Sequence, residues 1–282
     1  MGNLGSLGTS DVSGQLCLWL IGGTEDSVTI KRLLLNSELP LTLIITVTTA
    51  NALSLYTINP RLRVQVGAMT RTAMAQFCQT WSINAIIDAS HPYAVEVSQG
   101  AIATAAHLQI PYLRYERPRL SALNSPLNSP RITILDSFST LLSGTYLQGR
   151  RVLLTTGYKT LHLFQPWHDR AILFARILPA LDSLTGALAA GFGSDRLIAL
   201  RPPVSPALET ALWQQWQISL VVTKASGKAG GEDIKQQVAA NLGIPLIVID
   251  RPPVNYPQST SDLGKVLEFC QQFVNSLSKI CL

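Results

Sequence analysis

Cysteine is scarce in this 282-residue chain, and the four cysteines that it has are scattered. Cys17, Cys78, Cys270 and Cys281 form no CxxC pair, and no histidine lies near them at the spacing of metal ligands. The sequence therefore predicts neither a zinc site nor a disulfide framework, and no metal is expected. Because reduced thiols are typical of the cytoplasm, we expect a cytoplasmic protein.

Long apolar runs and clustered charges are also missing. No hydrophobic run approaches the roughly 18 residues that a membrane span requires, so no membrane partner is predicted. The net charge is +5, but there is no run of Lys and Arg and no basic patch interleaved with aromatics, so nucleic acid is not expected as a partner. The modest basic excess fits a cleft for a polyanionic small molecule, and it fits a solvated surface equally well. The oligomeric state is left open.

Hydrophobic residues make up 47% of the chain and charged residues only 14%, which favours a full core over disorder. The length fits one large domain or two medium ones. Residues 1–15 are rich in Gly and Ser and lack the basic start of a signal peptide, so we predict a flexible segment there. Residues 119–130 have a linker composition, which predicts an N-terminal domain at 16–118 and a C-terminal domain at 131–282.

Apolar strands alternate with amphipathic helices throughout both predicted domains. Strands are predicted at residues 16–21, 41–47, 63–66, 83–87, 111–114, 151–154, 171–177, 197–200, 218–222 and 245–249. Helices are predicted at residues 27–35, 71–81, 95–108, 181–190, 206–216, 233–242 and 263–277. This alternation indicates an α/β protein with two Rossmann-like domains, mainly parallel sheets and a ligand cleft between them.

The most informative stretch follows the fourth predicted strand. Asp88, Ser90, His91, Pro92 and Tyr93 bring a carboxylate, a hydroxyl, an imidazole and a phenol together just before a helix. Open α/β sheets bind ligands outside the carboxyl ends of their strands, so these residues are candidate site residues. The alternative is that Asp88 and Ser90 only cap the helix, although capping requires none of the other three.

Two glycine-containing loops follow predicted strands. Gly22-Gly23-Thr24-Glu25 lies between a strand and a helix, where backbone N–H groups can face a phosphate. The motif lacks the third glycine of GxGxxG, and a plain tight turn is the alternative. Thr156 and Gly157 follow a strand in the second half in the same way. Both loops are candidate cofactor-binding sites.

The second strand ends in hydroxyl side chains, including Thr48, rather than in an acid. An acidic residue at this point typically binds the ribose 2′-hydroxyl of NAD. Its absence favours NADPH, with NADH as the alternative, and Arg61 or Arg63 are candidate partners of the 2′-phosphate.

Basic residues recur after the predicted strands. Each alone is most simply a surface charge, but together they suit the carboxylate groups of a ligand. They are Arg114, Arg117, Lys159, Arg201, Lys224 and Lys228, and the last two flank Ser226 and Gly227.

Several of these segments together resemble the precorrin-6A reductase family of cobalamin biosynthesis, which includes the cobalt-precorrin-6A reductases. The resemblance covers about residues 16–253, in the order of the family's motifs. The chain departs from the family's usual pattern at Asp26, at Tyr158 and at Arg201-Pro202-Pro203. The matching segments are residues 22–25, 88–94, 114–118, 155–157, 223–227 and 251–252.

The resemblance implies that NADPH reduces one ring double bond of precorrin-6A, or of its cobalt form, to give precorrin-6B. A proton must be added beside the hydride, and Asp88, His91 and Tyr93 are the candidate donors or relays. Solvent is the alternative proton source. The tetrapyrrole substrate is expected to contact Ser90, His91, Pro92, Arg114, Arg117, Lys159, Arg201, Lys224, Ser226 and Gly227.

Two other functions share this sequence pattern. One is a two-domain Rossmann-like transferase that acts on a polyanionic small molecule, since a fold does not fix a function. The other is a non-catalytic module that binds a tetrapyrrole or a nucleotide. Binding of a reduced nicotinamide separates the reductase from the transferase, and turnover separates it from the binding module.

Overall fold

The computed structural model describes residues 15–57, 59–120 and 132–280, with the side chains of 275–280 left aside. The chain forms two compact units. The first contains the described residues up to Arg117 together with those from Val254 onward, and the second runs from Pro118 to Pro253. Each unit holds one six-stranded sheet, so the predicted α/β class with two Rossmann-like sheets is confirmed.

The first unit begins with five strands that alternate with helices. The strands are β1 (Leu16–Ile21), β2 (Leu41–Val47), β3 (Leu62–Val66), β4 (Ala85–Asp88) and β5 (Tyr112–Tyr115). The helices are α1 (Glu25–Asn36), α2 (Arg71–Thr80) and α3 (Val95–Leu108), and a 3-10 helix lies at Ala50–Leu55.

The second unit repeats this alternation. Its strands are β6 (Ile132–Leu135), β7 (Arg151–Leu154), β8 (Ile172–Ile177), β9 (Leu197–Ala199), β10 (Leu220–Lys224) and β11 (Leu246–Ile249). Its helices are α4 (Phe138–Ser143), α5 (Leu181–Ala189), α6 (Pro206–Gln215) and α7 (Glu232–Leu242). Short 3-10 helices lie at Tyr158–Trp167, Ser194–Arg196 and Lys228–Gly230.

The end of the chain returns to the first unit as β12 (Ser259–Thr260) and α8 (Leu263–Ile280). Strand β12 pairs in parallel with β5, with Ser259 opposite Arg114. Helix α8 adds Val266, Phe269 and Cys270 to the hydrophobic core of the first unit. The predicted division, which gave residues 131–282 to one C-terminal domain, is therefore corrected at residue 254. Periodicity identifies an amphipathic helix but not the sheet that it covers. Of the predicted flexible segment and linker, residues 1–14 and 121–130 lie outside the described residues.

Both sheets have the same strand order. The first is β3-β2-β1-β4-β5-β12 and the second is β9-β8-β7-β10-β11-β6, and all neighbouring pairs are parallel. In each sheet, five strands have the Rossmann order 3-2-1-4-5, in which the ligand crevice lies where the order reverses. The sixth position is taken by a strand that lies outside this series in the chain, β12 in the first sheet and β6 in the second. The crevices therefore open at the carboxyl ends of β1 and β4 in one sheet and of β7 and β10 in the other.

The central strands are apolar on both faces because helices cover both. Leu16, Leu18 and Leu20 of β1 point into one cluster of the first unit, whereas Trp19 and Ile21 point into another. Alternate residues of a strand face opposite sides of the sheet, so a strand buried on both faces reads as a continuous apolar run. In the described part of the chain, no helix has the length and apolarity to span a membrane.

Candidate functional site

Thr24 ties together the loops that flank the first crevice. Its hydroxyl donates to the carbonyl oxygen of Ala89 at 2.7 Å, which links the loop after β1 to the loop after β4. The same hydroxyl accepts from the N–H of Ser27, and the Ser27 hydroxyl accepts from the N–H of Thr24, so the pair forms a capping box at the start of α1. The N-terminal N–H groups of α1 are thus partly satisfied from within.

The two glycines before Thr24 are also held by the protein itself. The N–H of Gly22 donates to the Thr46 carbonyl at 2.9 Å, and that of Gly23 donates to the Tyr56 hydroxyl at 2.8 Å. A Cβ on Gly22 would lie 2.5 Å from the Tyr56 oxygen, so this glycine is required for packing. Gly23 has a φ of +89° and open space beside it. Hence the N–H groups of Gly22 and Gly23, which the sequence predicted as phosphate donors, both donate to acceptors within the protein.

Acidic residues open the helix after this loop. Glu25 is exposed, and Asp26 forms an ion pair with Arg117 at 2.5 Å. Arg117 is almost completely buried there. The carboxylate of Asp26 therefore binds the guanidinium of Arg117, which the sequence predicted to bind a carboxylate of the substrate.

Asp88 is the centre of a buried polar network at the end of β4. Its side chain is inaccessible to solvent, and each oxygen accepts two hydrogen bonds. The donors are the N–H of Ser90 at 2.9 Å, the hydroxyl of Ser98 at 2.6 Å, the hydroxyl of Tyr112 at 2.8 Å and the guanidinium of Arg114 at 2.9 Å. A carboxylate so fully bound holds the loop in place and has no open lone pair directed at a ligand.

Arg114 completes the network from β5. Besides Asp88, its guanidinium donates to Glu116 at 2.9 Å and to the Ser90 hydroxyl at 3.1 Å. Its Cζ lies 5.2 Å from the centroid of the Tyr256 ring, which the returning segment of the chain supplies. Because Arg114 is buried and bound on several sides, it stabilises the loop instead of projecting from it.

Two phenols of this network were not predicted from the sequence. Burial, reinforced by the negative charge of Asp88, raises the pKa of Tyr112 well above its usual range. Burial likewise raises the pKa of Tyr256, which hydrogen-bonds Ser98, although the nearby Arg114 opposes the shift. Both side chains therefore remain protonated donors at neutral pH. Tyr256 is remote in sequence from β4, and only the pairing of β12 with β5 brings it there.

His91 and Tyr93 differ from this network because they lie at the surface. His91 is exposed and Tyr93 is partly exposed, while Pro92 between them is buried. The N–H of Tyr93 donates to Nδ1 of His91 at 3.3 Å, and the two rings are 5.7 Å apart. Since Nδ1 accepts this bond, the neutral imidazole carries its proton on Nε2. Helix α3, which follows, has no side-chain cap at Ala94.

Thr48, predicted to bind the cofactor, and the two arginines predicted as partners of its 2′-phosphate do not lie together. Thr48 is exposed at the carboxyl end of β2. Arg61 precedes β3, at the opposite edge of the sheet, and its guanidinium binds the carbonyls of Leu35 and Leu39. Arg63 lies within β3. The crevice opens at the edge of the sheet that holds the carboxyl end of β3, which is at Val66. Arg61 and Arg63 are at the amino end of that strand, so neither arginine lies at the crevice.

The second crevice starts with the loop after β7. Gly157 has a φ of +81°, is exposed, and has no atom within 4 Å of the position that a Cβ would take. The buried hydroxyl of Thr156 accepts from the hydroxyl of Thr160 at 2.9 Å. Tyr158 turns away and packs against Gly186 of α5, whereas Lys159 is exposed. This loop offers open backbone beside a cation.

The loop after β10 carries more positive charge. Burial, together with the like charge of Lys159, lowers the pKa of Lys224 to about 8. Ser226 and Gly227 follow and are buried, and the N–H of Gly227 donates to the carboxylate of Glu232 at 2.7 Å. Lys228 is exposed next to them. Lys159 and Lys224 thus lie close enough to influence each other's charge.

Two further basic residues belong to this unit. Arg201 is exposed just after β9, as the sequence predicted for a strand end. Lys235 is buried, donates to the carbonyls of Gly230 and Gly231 at 3.0 and 2.9 Å, and has a pKa lowered to about 8 mainly by burial. Lys235 therefore fixes the turn before α7. Across the described residues, no group of His, Cys, Asp and Glu has the arrangement of a metal site.

Comparison with known proteins identifies a family for this chain. The family model described as "Precorrin-6x reductase CbiJ/CobK" matches residues 17–271. A protein named cobalt-precorrin-6A reductase from Synechocystis sp. is 48% identical over 259 residues, which cover 92% of this chain and 97% of that protein. One of the same name from Priestia megaterium is 33% identical over 210 residues, which cover 73% and 80%.

A solved structure shares the fold. The structure described as "CobK precorrin-6A reductase" aligns with a TM-score of 0.74 and covers 92% of this chain and 97% of that one. The sequence identity is 21%, so this likeness supports the two Rossmann-like sheets alone.

Proposed function

The chain belongs to the precorrin-6x reductase family and is an NAD(P)H-dependent reductase of cobalamin biosynthesis; from this premise we propose its cofactor, its substrate form and the roles of its residues. The cofactor is NADPH, and the substrate is the cobalt form of precorrin-6A. The metal in the substrate is supported by the name of the Synechocystis relative, which shares 48% of its residues with this chain. The product is the corresponding precorrin-6B. Family membership favours this reaction over the transferase alternative.

The nucleotide phosphates bind at the carboxyl-end edge of the second sheet. The observation that carries this assignment is the contrast in charge between the two crevices. The first presents Glu25 and Asp26 at the start of α1, and its glycine N–H groups bond to the protein. The second presents Lys159 and Lys224 around an open glycine. Phosphate is favoured beside cations and disfavoured beside carboxylates.

The residues of the second crevice fit a phosphate group. Gly157 leaves the space that a Cβ would fill, so the backbone can approach a ligand closely. Lys224 and Lys159 neutralise charge, and the Thr156 loop fixes the position of the glycine. When bound, the reduced nicotinamide supplies the hydride, and the protein orients it and excludes water.

The proton that accompanies the hydride is donated at the first crevice. His91 is the exposed imidazole at the end of β4. In its imidazolium form it delivers the Nε2 proton to the carbon beside the one that receives hydride, is left as a neutral imidazole, and takes up a new proton from solvent. The N–H of Tyr93, which donates to Nδ1, favours the neutral form with its proton on Nε2 before the next proton is taken up. Asp88 and Arg114 position the loop through the buried network and do not donate protons. A shared cleft for the two crevices stays a prediction, as does the assignment of substrate carboxylates to individual cations.

The test is an anaerobic absorbance assay at the reduced-nicotinamide band with precorrin-6A and its cobalt form, each with NADPH and with NADH. We expect the fastest oxidation with NADPH and the cobalt form. Faster turnover of the metal-free substrate, or of NADH, would contradict the corresponding choice. No substrate-dependent oxidation by folded protein would contradict the function itself.

The proton role needs its own variant. His91→Asn keeps a hydrogen-bond acceptor near the N–H of Tyr93 but lacks a titrating group. We expect kcat to fall about 100-fold while KM for the tetrapyrrole changes little. An unchanged kcat at saturating substrate would leave solvent as the proton source.

A further inference from the structure

Tyr256 joins the buried network of Asp88 from the segment that returns to the first unit at Val254. Its side chain is partly exposed and packs against the hydrophobic cluster that includes Trp19. Pro257 follows it, and a residue before a proline is restricted to extended backbone conformations. The side chain of Tyr256 therefore leaves the backbone in a restricted direction, which limits the positions that its ring can take.

Backbone hydrogen bonds hold this segment beside β5. The N–H of Arg114 donates to the carbonyl of Gln258 at 2.9 Å. The N–H of Glu116 donates to the carbonyl of Thr260 at 2.8 Å. Because Gln258 lies just after Tyr256 and Pro257, the phenol approaches the network from a segment that is bonded to the strand of Arg114.

The first contact of Tyr256 is with Arg114. The guanidinium carbon of Arg114 lies 5.2 Å from the centroid of the Tyr256 ring, within the range of a cation–π interaction. The same guanidinium donates to the hydroxyl of Ser90 at 3.1 Å. The ring thus restrains a side chain that itself holds Ser90.

The second contact is a hydrogen bond between the phenol of Tyr256 and the hydroxyl of Ser98. Ser98 donates to one oxygen of Asp88 at 2.6 Å, and the other oxygen accepts from the N–H of Ser90 at 2.9 Å. One contact of Tyr256 therefore leads to the hydroxyl of Ser90 and the other to its backbone N–H. Ser90 directly precedes His91 in the chain.

We propose that Tyr256 is a positioning residue that holds His91 in place for proton donation. The proposal rests on the role assigned above to His91. The imidazole of His91 is exposed, so packing in a core does not fix it, and its position depends on the backbone of Ser90 before it. A displacement of about 1 Å can lower the rate of an enzyme about 100-fold, so a small movement of this loop should slow the proton transfer.

The experiment compares Tyr256→Leu, which removes the ring and the hydroxyl, with Tyr256→Phe, which removes the hydroxyl alone. Phe269→Leu in α8 is the control. It changes a buried ring of the same returning segment, which packs against Phe273 and belongs to the other hydrophobic cluster of this unit. Chemical denaturation checks that both leucine variants fold and lose stability to a similar extent.

With NADPH and cobalt-precorrin-6A, we expect kcat to fall about tenfold in Tyr256→Leu. The fall should be only about twofold in Tyr256→Phe, because phenylalanine keeps a ring beside Arg114. The KM for each substrate should stay within about twofold of the wild type, and Phe269→Leu should keep the wild-type kcat. Equal losses of kcat in Tyr256→Leu and in the control would show that Tyr256 acts only through stability, which would overturn the proposal.

A double-mutant cycle tests whether Tyr256 acts through His91. In the His91→Asn background, we expect Tyr256→Leu to lower kcat no further, because the group that Tyr256 positions is already absent. A similar loss of kcat in both backgrounds would contradict the proposal.

A second readout needs no substrate. The chain has four histidines, and His91→Asn identifies the signal of His91 in NMR spectra of the imidazole rings. We expect Tyr256→Leu to shift the His91 signal and to leave the other three in place, whereas Phe269→Leu should shift none. An unchanged His91 signal in Tyr256→Leu would overturn the positioning role. If the wild type oxidises no NADPH with either form of precorrin-6A, the proposed function fails, while this measurement still decides whether Tyr256 positions His91.

Discussion

The two sheets share one strand order but differ at the edge where ligands bind. At the first edge, charged residues are paired and mostly buried: Asp88 with Arg114 and Asp26 with Arg117. At the second edge, Lys159 and Arg201 are exposed and Lys224 is partly buried beside Lys159. A shared topology thus fixes where a site forms, while the pairing of its charges decides which ligand it favours.

This difference also separates structural from functional roles within similar motifs. Both crevices contain a strand, a loop with a glycine at positive φ, and a helix. The polar groups of the first loop form hydrogen bonds within the protein, and these bonds involve Tyr56, Ser27 and Ala89. The second keeps space beside Gly157. We therefore expect substitutions at the first edge to lower stability and substitutions at the second edge to weaken the binding of an anion.

The largest effect is expected from breaking the buried network of the first edge. Asp88→Ala leaves the Arg114 guanidinium buried with only Glu116 as a carboxylate partner, so we expect about 3–5 kcal/mol lower stability in chemical denaturation. Glu25→Ala is the control, because it removes an exposed carboxylate from the same edge and should cost less than about 1 kcal/mol. Equal stabilities for Asp88→Ala and wild type would show that the network is not structural.

The next effect concerns the charge of Lys224 at the second edge. Its pKa is lowered to about 8, so the cation is present below that pH and is lost as the pH rises through it. We expect the KM for NADPH to rise above pH 8 in the wild type and to stay level in Lys224→Arg, since arginine remains charged.

Lys159 provides the matched change for this pH profile. Its positive charge helps to lower the pKa of Lys224, so Lys159→Ala should move the rise in KM to higher pH. A profile that does not respond to either variant would exclude Lys224 from the nucleotide site.

The smallest effect is expected from the capping residue of the first loop. Thr24→Val removes the cap of α1 and the bond to Ala89, which should lower stability by about 1–2 kcal/mol. The KM for NADPH should not change, because this loop is a scaffold in our account. A raised KM for NADPH with little loss of stability would indicate that the phosphates of NADPH bind at the first edge, which would contradict their assignment to the second.

Much of the fold could be predicted from local patterns. The bounds of β2, α3 and β7 match their predictions, because each is an apolar run or an amphipathic segment that ends in clear polar or turn residues. Strand β12 was missed because two residues carry no periodicity. Strand β6 and helix α4 are short and follow the linker composition, so they were missed as well.

The site was predicted less completely because its roles depend on pairing. The sequence placed Asp88 and Arg114 at strand ends, where the structure has them, but could not tell that they bind each other. Tyr112 reaches Asp88 from β5, the strand of Arg114, and Tyr256 reaches Arg114 from the segment before β12, and only the fold brings these residues together. For the same reason the sequence could not show that Arg117 pairs with Asp26, and its contact with a substrate carboxylate stays a prediction.

The most direct measurement is the affinity for NADPH of Gly157→Ala and Gly23→Ala, determined by calorimetry. Both glycines have positive φ and open space at the Cβ position, so each alanine strains the backbone, by about 1–3 kcal/mol, without a steric clash. We predict that Gly157→Ala binds NADPH at least about tenfold more weakly while Gly23→Ala binds it like the wild type. The reverse result would contradict the assignment of the nucleotide to the second sheet.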